Sequence, residues 1–177
     1  AYAHWLNDRL HLDPSVCSEE TIAECRKAAE ARWPTATLGQ RWTLARVFPE
    51  NTAWAHEAVE QLLAFTELPI PPLAICEIVR DLGQAERLTA RVPPANIDYV
   101  ALGRNLGTSA IPLLKAGLTQ KHAVEVAHAL ASMDDPAAAD ALVACLGRKP
   151  LRPIAASYFE RGSPNARKAL EAALAGS

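Results

Sequence analysis

His4, Asp8 and His11 stand at positions i, i+4 and i+7, a spacing that places all three on one face of a helix. Imidazole and carboxylate groups are ligands that a divalent metal accepts. However, one helix supplies no fourth ligand and no outer partner to orient the others. Apolar residues occupy the other side of the same helix (Trp5, Leu6, Leu10, Leu12). The three polar residues are therefore interpreted as a solvated stripe, and we expect neither a metal nor another cofactor.

No sequence motif for catalysis is present. Cys25 and His56 could form a nucleophile–base pair only if the fold brought them together. His122 and His128 are six residues apart, so they lie on different faces of one helix. GxSxG, a glycine-rich phosphate loop and HExxH are all missing. We therefore expect no catalytic, cofactor-binding or metal-binding residues, and the sequence favours a non-catalytic protein.

Two clusters could bind a ligand instead. The four tryptophans (Trp5, Trp33, Trp42, Trp54) all lie in the first third of the chain, interleaved with Arg32, Arg41 and Arg46. Such a mixture can stack on bases or on a ligand, but it also fills the core between helices, which is the reading we favour. Arg148, Lys149 and Arg152 form a small basic group in a loop, either a solvated loop or a site for phosphate or an acidic partner.

Composition narrows the class of protein. The chain has 177 residues, half of them hydrophobic, which suits a single domain spanning residues 1–177 with a sizeable core. Its 18 basic and 20 acidic residues give a net charge of −2, so nucleic acid is not an expected partner. No apolar run reaches the roughly 18–20 residues of a membrane span. The scattered cysteines (Cys17, Cys25, Cys76, Cys145) suggest free thiols in a reducing compartment, and we expect a cytoplasmic protein.

Abundant alanine and leucine, punctuated by 13 prolines, indicate a string of short helices without a sheet. Ser18 and either Asn51 or Thr52 are expected to cap helices. We predict helices over residues 2–12, 19–33, 38–48, 54–65, 73–82, 96–106, 108–118, 121–132, 136–146, 151–160 and 164–174. The stretch 84–91 is poorly patterned, and Pro93-Pro94 is the expected internal boundary.

A 28-residue repeat is the strongest pattern in the sequence. Three segments starting at Thr108, Pro136 and Pro164 align, with alanine, leucine and leucine at equivalent positions (Ala110, Ala138, Ala166; Leu114, Leu142, Leu170; Leu118, Leu146, Leu174). Partner helices lie between them. A fixed period of this size predicts helix pairs that stack on their neighbours, because each pair buries its apolar face only against the next.

The segment from Leu106 to Leu114 (LGTSAIPLL) resembles the opening of short HEAT-like repeats of the phycobilisome-lyase type. The segment from Ala129 to Pro136 (ALASMDDP) is similar to the junction between two such units. The resemblance covers residues 95–177. It implies an all-α, right-handed solenoid of antiparallel helix pairs there, with residues 1–92 as more divergent pairs.

Three functions are consistent with this architecture. A solenoid exposes an extended ridged surface, so we expect a scaffold-like module that binds a protein or peptide, either on its own or as part of a larger protein. The alternatives are a lyase-like enzyme or small-molecule chaperone, as the resemblance implies, and a helical-repeat protein that binds nucleic acid. The expected working surface is the groove lined by the second helices of each pair, which keep polar residues among apolar ones (Arg104, Glu125, His128, Glu160).

Overall fold

The structure, a computed structural model, describes residues 18–119 and 121–175. Within these residues the protein is all-helical and contains no β-strand, as predicted. The chain divides into two compact units at the Pro71–Pro72 bond. The N-terminal unit ends at Pro71 and the C-terminal unit begins at Pro72. The predicted helix over residues 2–12 lies outside the described residues.

Three helices form the described part of the N-terminal unit: α1 (Glu19–Arg32), α2 (Leu38–Val47) and α3 (Thr52–Leu63). The residue before each helix has a side chain that accepts a hydrogen bond from a free backbone N–H group of the first turn. The Ser18 and Asn51 side chains accept from Thr21 and Trp54 backbone N–H groups, respectively. Thr37 and Gln40 form a reciprocal capping box at the start of α2. Short polar residues therefore determine where these three helices start.

The core of the N-terminal unit is aromatic. Trp33 and Trp54 are each 8% exposed, and their rings stack with centroids 4.7 Å apart and an interplanar angle of 6°. Phe48 meets Trp54 edge-on at 6.1 Å. These rings join the end of α1 to α2 and α3. The prediction that these tryptophans fill a core is confirmed for Trp33 and Trp54.

The C-terminal unit continues with short helices. They are α4 (Pro72–Cys76), α5 (Leu82–Arg91), α6 (Tyr99–Leu106), α7 (Ile111–Gly117), α8 (Ala123–Ala131), α9 (Pro136–Cys145), α10 (Arg152–Glu160) and α11 (Pro164–Ala175). Aspartates cap α5, α6 and α9 through their side chains (Asp81, Asp98, Asp135). Proline occupies one of the first two positions of several of these helices. A backbone N–H group at these positions would have no intrahelical partner, so proline removes no helical hydrogen bond there.

Packing in this unit follows two interleaved series. The first-series helices are α7, α9 and α11, and α9 contacts both of the others. The second-series helices are α4, α6, α8 and α10, and each contacts the next member of the series. Consecutive helices from α6 to α11 also contact one another across the two series. Every helix in the middle of the unit is thus held by neighbours one and two places away in sequence.

Hydrogen bonds from side chains about 28–31 residues further along the chain connect successive helix pairs. Asn105 donates to the backbone carbonyls of Cys76 and Glu77, 29 and 28 residues earlier. Arg161 donates to the Ala131 carbonyl, and Asn165 donates to Asp134, 31 residues earlier. Carbonyls at the end of a helix have no intrahelical partner, and the Cys76 and Ala131 carbonyls gain one through these bonds. Each pair therefore helps to terminate the preceding one.

Burial agrees with most of the repeat alignment. Ala110, Ala138 and Ala166 are all fully buried, and so are Leu114 and Leu142. The prediction of equal burial is wrong for the last repeat, because Leu170 is half-buried. Leu174 is 78% exposed, whereas the equivalent Leu118 is 7% exposed. The difference follows from position, since α11 has a first-series neighbour, α9, on only one side within the described chain.

Two predictions for this unit differ from the structure. The helix predicted over residues 73–82 ends at Cys76, and the poorly patterned stretch 84–91 belongs to α5. Ile75, Cys76, Ile78 and Val79 are all fully buried, on both sides of the point where α4 ends. The chain instead turns after Cys76, and Asp81 starts a new helix. Residues 72–92 belong to the same compact unit as the predicted repeats.

Candidate functional site

An exposed row of apolar side chains crosses the second-series helices. Of the five large apolar side chains that are exposed in the described chain, three lie on this series: Leu73 at 49%, Val100 at 42% and Val124 at 39%. Each is the second residue of its helix, in α4, α6 and α8. The second residue of α10 is Pro153, which is also exposed. We call Leu73, Val100, Val124 and Pro153 the apolar row.

A second row lies one helical turn further on. The residues four positions after each member of the apolar row are Glu77, Arg104, His128 and Ser157. Residues at i and i+4 of a helix are neighbours on one face, with Cβ atoms about 6 Å apart. Arg104, His128 and Ser157 are exposed, and Glu77 is half-buried. This set, the polar row, thus runs beside the apolar row.

Close packing holds the two rows in register. A Cβ atom added to Gly103 of α6 would lie 3.3 Å from the Ala129 Cβ atom of α8, so the two backbones approach closely there. Asn105 ties α6 to the end of α4, and Arg161 ties the end of α10 to α8. Packed helix axes lie about 8–10 Å apart. That spacing corresponds to roughly three residues of an extended chain at about 3.3 Å per residue.

Hydrogen bonds of Arg80 and Asn105 fix the chain beside the end of α4. The Arg80 NH1 group donates to the Glu77 and Val79 carbonyls at 2.9 and 3.1 Å. Partial burial lowers the pKa of Arg80, and the nearby positive charge of Arg104 lowers it further. Asn105, the residue after Arg104, donates to the same Glu77 carbonyl. The Glu77 carbonyl therefore joins Arg80 to α6 beside the end of α4.

The four residues that the sequence suggested for a working surface do not all lie on the same face of the second-series helices. Arg104 and His128 occupy equivalent places in the polar row. Glu160 is exposed at the last residue of α10, two turns after Pro153 and on the same face. Glu125 lies beside His122 on the adjacent face, with 3.8 Å between the His122 Nδ1 atom and the carboxylate. Sequence reasoning missed the apolar row, because its members share the second position only with the helix starts that the structure shows.

A separate shallow groove of about 570 Å³ lies between the first-series helices α7 and α9. Its lining mixes hydroxyl, charged and apolar side chains: Thr108, Ser109, Ile111, Pro112, Lys115, Asp135 and Ala137. Asp135 also caps α9 by accepting from the Ala137 backbone N–H group at 2.8 Å. Most of these side chains are exposed, so the groove is an open depression rather than an enclosed ligand cavity.

The tryptophan–arginine cluster of the N-terminal unit is bonded internally. Glu57 accepts from the Trp33 indole at 2.9 Å, from Gln61 at 3.1 Å and from the Arg41 guanidinium. The Arg41 guanidinium also lies over the Trp33 ring, 5.4 Å from its centroid. These contacts engage the two side chains best suited to stacking on a ligand. The geometry supports a structural role for this cluster.

The remaining sequence candidates are separate groups. Arg148 donates to the Leu118 carbonyl at 2.6 Å and Arg152 to the Leu146 carbonyl at 2.9 Å, so both terminate first-series helices. Cys25 is half-buried on α1, and within the described residues it makes no hydrogen bond to His56 of α3, which is exposed. In residues 18–119 and 121–175 no group of three potential metal ligands is present. His4, Asp8 and His11 lie outside the described residues.

The two buried thiols are poor nucleophiles. Cys76 and Cys145 are fully or almost fully buried. Burial raises the pKa of Cys76 to about 11 and raises that of Cys145 as well, because a thiolate is disfavoured away from water. Both thiols are therefore protonated at neutral pH and pack as small apolar groups.

None of the described helices combines the length and the apolar character needed to cross a membrane. No protein-family model matches the sequence, and neither a curated protein nor a solved structure matches it significantly. Assignment of function therefore depends on the geometry of the chain itself.

Proposed function

We propose that residues 72–177 form a short, right-handed solenoid of HEAT-like helix pairs that binds an extended protein segment or peptide, without catalysis. The two interleaved series of helix contacts support this arrangement, and so do the hydrogen bonds between side chains about one repeat apart. The binding surface is the outer face of the second series, α4, α6, α8 and α10.

The observation that carries this proposal is the apolar row. Single exposed apolar side chains are ordinary on protein surfaces and need no explanation. Here exposed apolar residues recur at the second position of four successive second-series helices, next to a row of polar side chains. Burying a valine side chain fully contributes about 1.5–3 kcal/mol, so covering the exposed parts of several members favours binding by a part of that amount each.

The spacing of the row favours an extended occupant. With helix axes about 8–10 Å apart, an extended peptide would place roughly every third side chain on successive members of the row. The polar row would then contact the peptide backbone or its polar side chains. Peptide recognition by such surfaces combines apolar anchors with adjacent polar contacts that fix the register.

The test is selection of a random-peptide library on the full 177-residue chain, followed by measurement of the Kd of the selected peptides. The double variant Val100→Asp/Val124→Asp should weaken binding at least about tenfold, because it places charges in the apolar contact. The matched control is Ala116→Asp/Ala144→Asp, which changes two exposed residues of the first-series helices α7 and α9. Equal loss in both variants, or no loss in the valine variant, would contradict the proposal.

A further inference from the structure

A basic turn lies beside the Pro153 end of the apolar row. It joins α9 to α10 and carries three exposed cations, Arg148, Lys149 and Arg152. The Arg148 carbonyl accepts from the backbone N–H groups of Leu151 and Arg152, each at 2.9 Å, and these two bonds close the turn. Arg152 directly precedes Pro153 in the chain. The turn therefore places three positive charges next to one end of the proposed binding surface.

Side-chain hydrogen bonds fix the two guanidinium groups of this turn. Arg148 Nη1 donates to the Leu118 carbonyl at 2.6 Å, and Arg152 Nε donates to the Leu146 carbonyl at 2.9 Å. Each bond uses one donor, so both guanidinium groups keep further N–H groups for a ligand. Leu118 lies three residues before Lys121, so at most about 11 Å separates their Cα atoms. The exposed Lys121 thus adds a fourth positive charge from the loop before α8.

This positive charge is not neutralised by neighbouring carboxylates. Within the described chain none of the four cations forms an ion pair. Residues 115–125 and 140–161, which span the two loops and the adjoining helices, contain six basic and three acidic residues, a net charge of +3. Positive charge at a helix N-terminus opposes the helix dipole, yet α10 begins at Arg152 and has no side-chain cap. An anion bound at the turn would reduce the mutual repulsion of these cations.

We propose that the basic turn binds an acidic side chain of the bound peptide, next to the peptide residue that packs on Pro153. This inference depends on the proposed function of the surface, and it adds a specificity and an orientation to it. The carboxylate of Asp or Glu matches the planar donor fork of an arginine. The Cα atoms of Arg152 and Pro153 are about 3.8 Å apart, and an extended peptide advances about 3.3 Å per residue. The acidic residue should therefore lie within about two positions of the apolar residue at Pro153.

The distribution of charge favours an acidic peptide over nucleic acid. Nucleic-acid binding without sequence preference depends on a basic stripe that contacts many phosphates. Here the four cations are confined to one turn and the loop beside it, and the whole chain has a net charge of −2. Apolar side chains at Val124 and Pro153 lie close to the cations along the chain and suit a peptide that combines aliphatic and acidic residues.

The experiment uses peptides selected from the random library on the full chain. Enriched peptides should carry the acidic residue, and its replacement by the corresponding amide should weaken binding about five- to tenfold. Lys149→Glu should cause at least a similar loss, and it should leave the fold intact because Lys149 is exposed and forms no ion pair within residues 18–119 and 121–175. Lys168→Glu is the matched control, since it makes the same change of charge at an exposed position of the first-series helix α11.

A charge-swapped peptide tests the contact itself. Replacing the acidic residue by lysine should weaken binding to the unaltered chain and strengthen binding to Lys149→Glu, because both changes act on one contact. Binding that needs Val100 and Val124 but is unchanged by the amide and by Lys149→Glu would overturn the acidic specificity and leave the binding surface intact. A single-stranded oligonucleotide that displaces the peptide and binds Lys149→Glu more weakly would assign the turn to nucleic acid and overturn the inference. Failure to select any peptide, or binding that is insensitive to the valines, would overturn the proposed function itself.

Discussion

Truncation of Leu142 is the most informative change to the repeat architecture. This leucine is fully buried in α9, which lies between α7 and α11. Leu→Ala removes three carbons, and at about 0.8 kcal/mol per methylene the transfer term alone is roughly 2.4 kcal/mol. Neighbouring helices on both sides limit collapse of the cavity, so the total loss of unfolding free energy should be about 3–4 kcal/mol. Leu170→Ala, at the equivalent but half-buried position, should cost about half as much.

Urea titration followed by far-UV circular dichroism measures this difference. The tryptophans all precede residue 72, so their fluorescence does not report directly on the C-terminal unit, whereas its helices contribute to the dichroism. Each free energy follows from the transition midpoint and slope. A loss below about 1 kcal/mol for Leu142→Ala, or equal losses for both leucines, would refute the assignment of Leu142 to an inner repeat position.

Three further outcomes follow from individual contacts. Gly117→Ala should destabilise the protein by about 1–3 kcal/mol in the same assay, because its Cβ atom would lie 2.9 Å from a Val126 methyl group; Gly147→Ala, which meets no atom within 4 Å, should not. The unfolding free energy should fall as pH rises from about 9 to 11. The reason is that the unfolded chain loses the Cys76 proton at its ordinary pKa, whereas the folded protein retains it. Cys76→Ala should lessen this fall. Glu57→Gln should lower the stability of the N-terminal unit by about 1–2 kcal/mol in urea titrations followed by tryptophan fluorescence, because the Trp33 and Arg41 donors lose a charged acceptor.

Local signals predicted the helices well where a cap and a periodic apolar face agree. Ser18 and Asn51 accept the expected backbone hydrogen bonds, and α9 begins at Pro136 as predicted. The all-helical class followed from the alanine, leucine and proline content. These features depend on residues within one or two turns of each other, which a single sequence displays directly.

Long-range contacts explain what the sequence did not reveal. At the end of α4, Asn105 donates to the Cys76 and Glu77 carbonyls from 29 and 28 residues away. Local pattern favoured a longer helix there because nothing nearby marks its end. The apolar row likewise depends on how neighbouring helices align.

Methyl NMR of the full chain, titrated with a peptide selected from the random library, tests the proposed binding surface most directly. The account expects the largest chemical-shift changes at the methyl groups of Leu73, Val100 and Val124, with saturation at one peptide per chain. Ile111 of the first-series groove should change little. Changes centred on Ile111, or on methyl groups of residues 18–71, with those of the apolar row unaffected, would contradict the account.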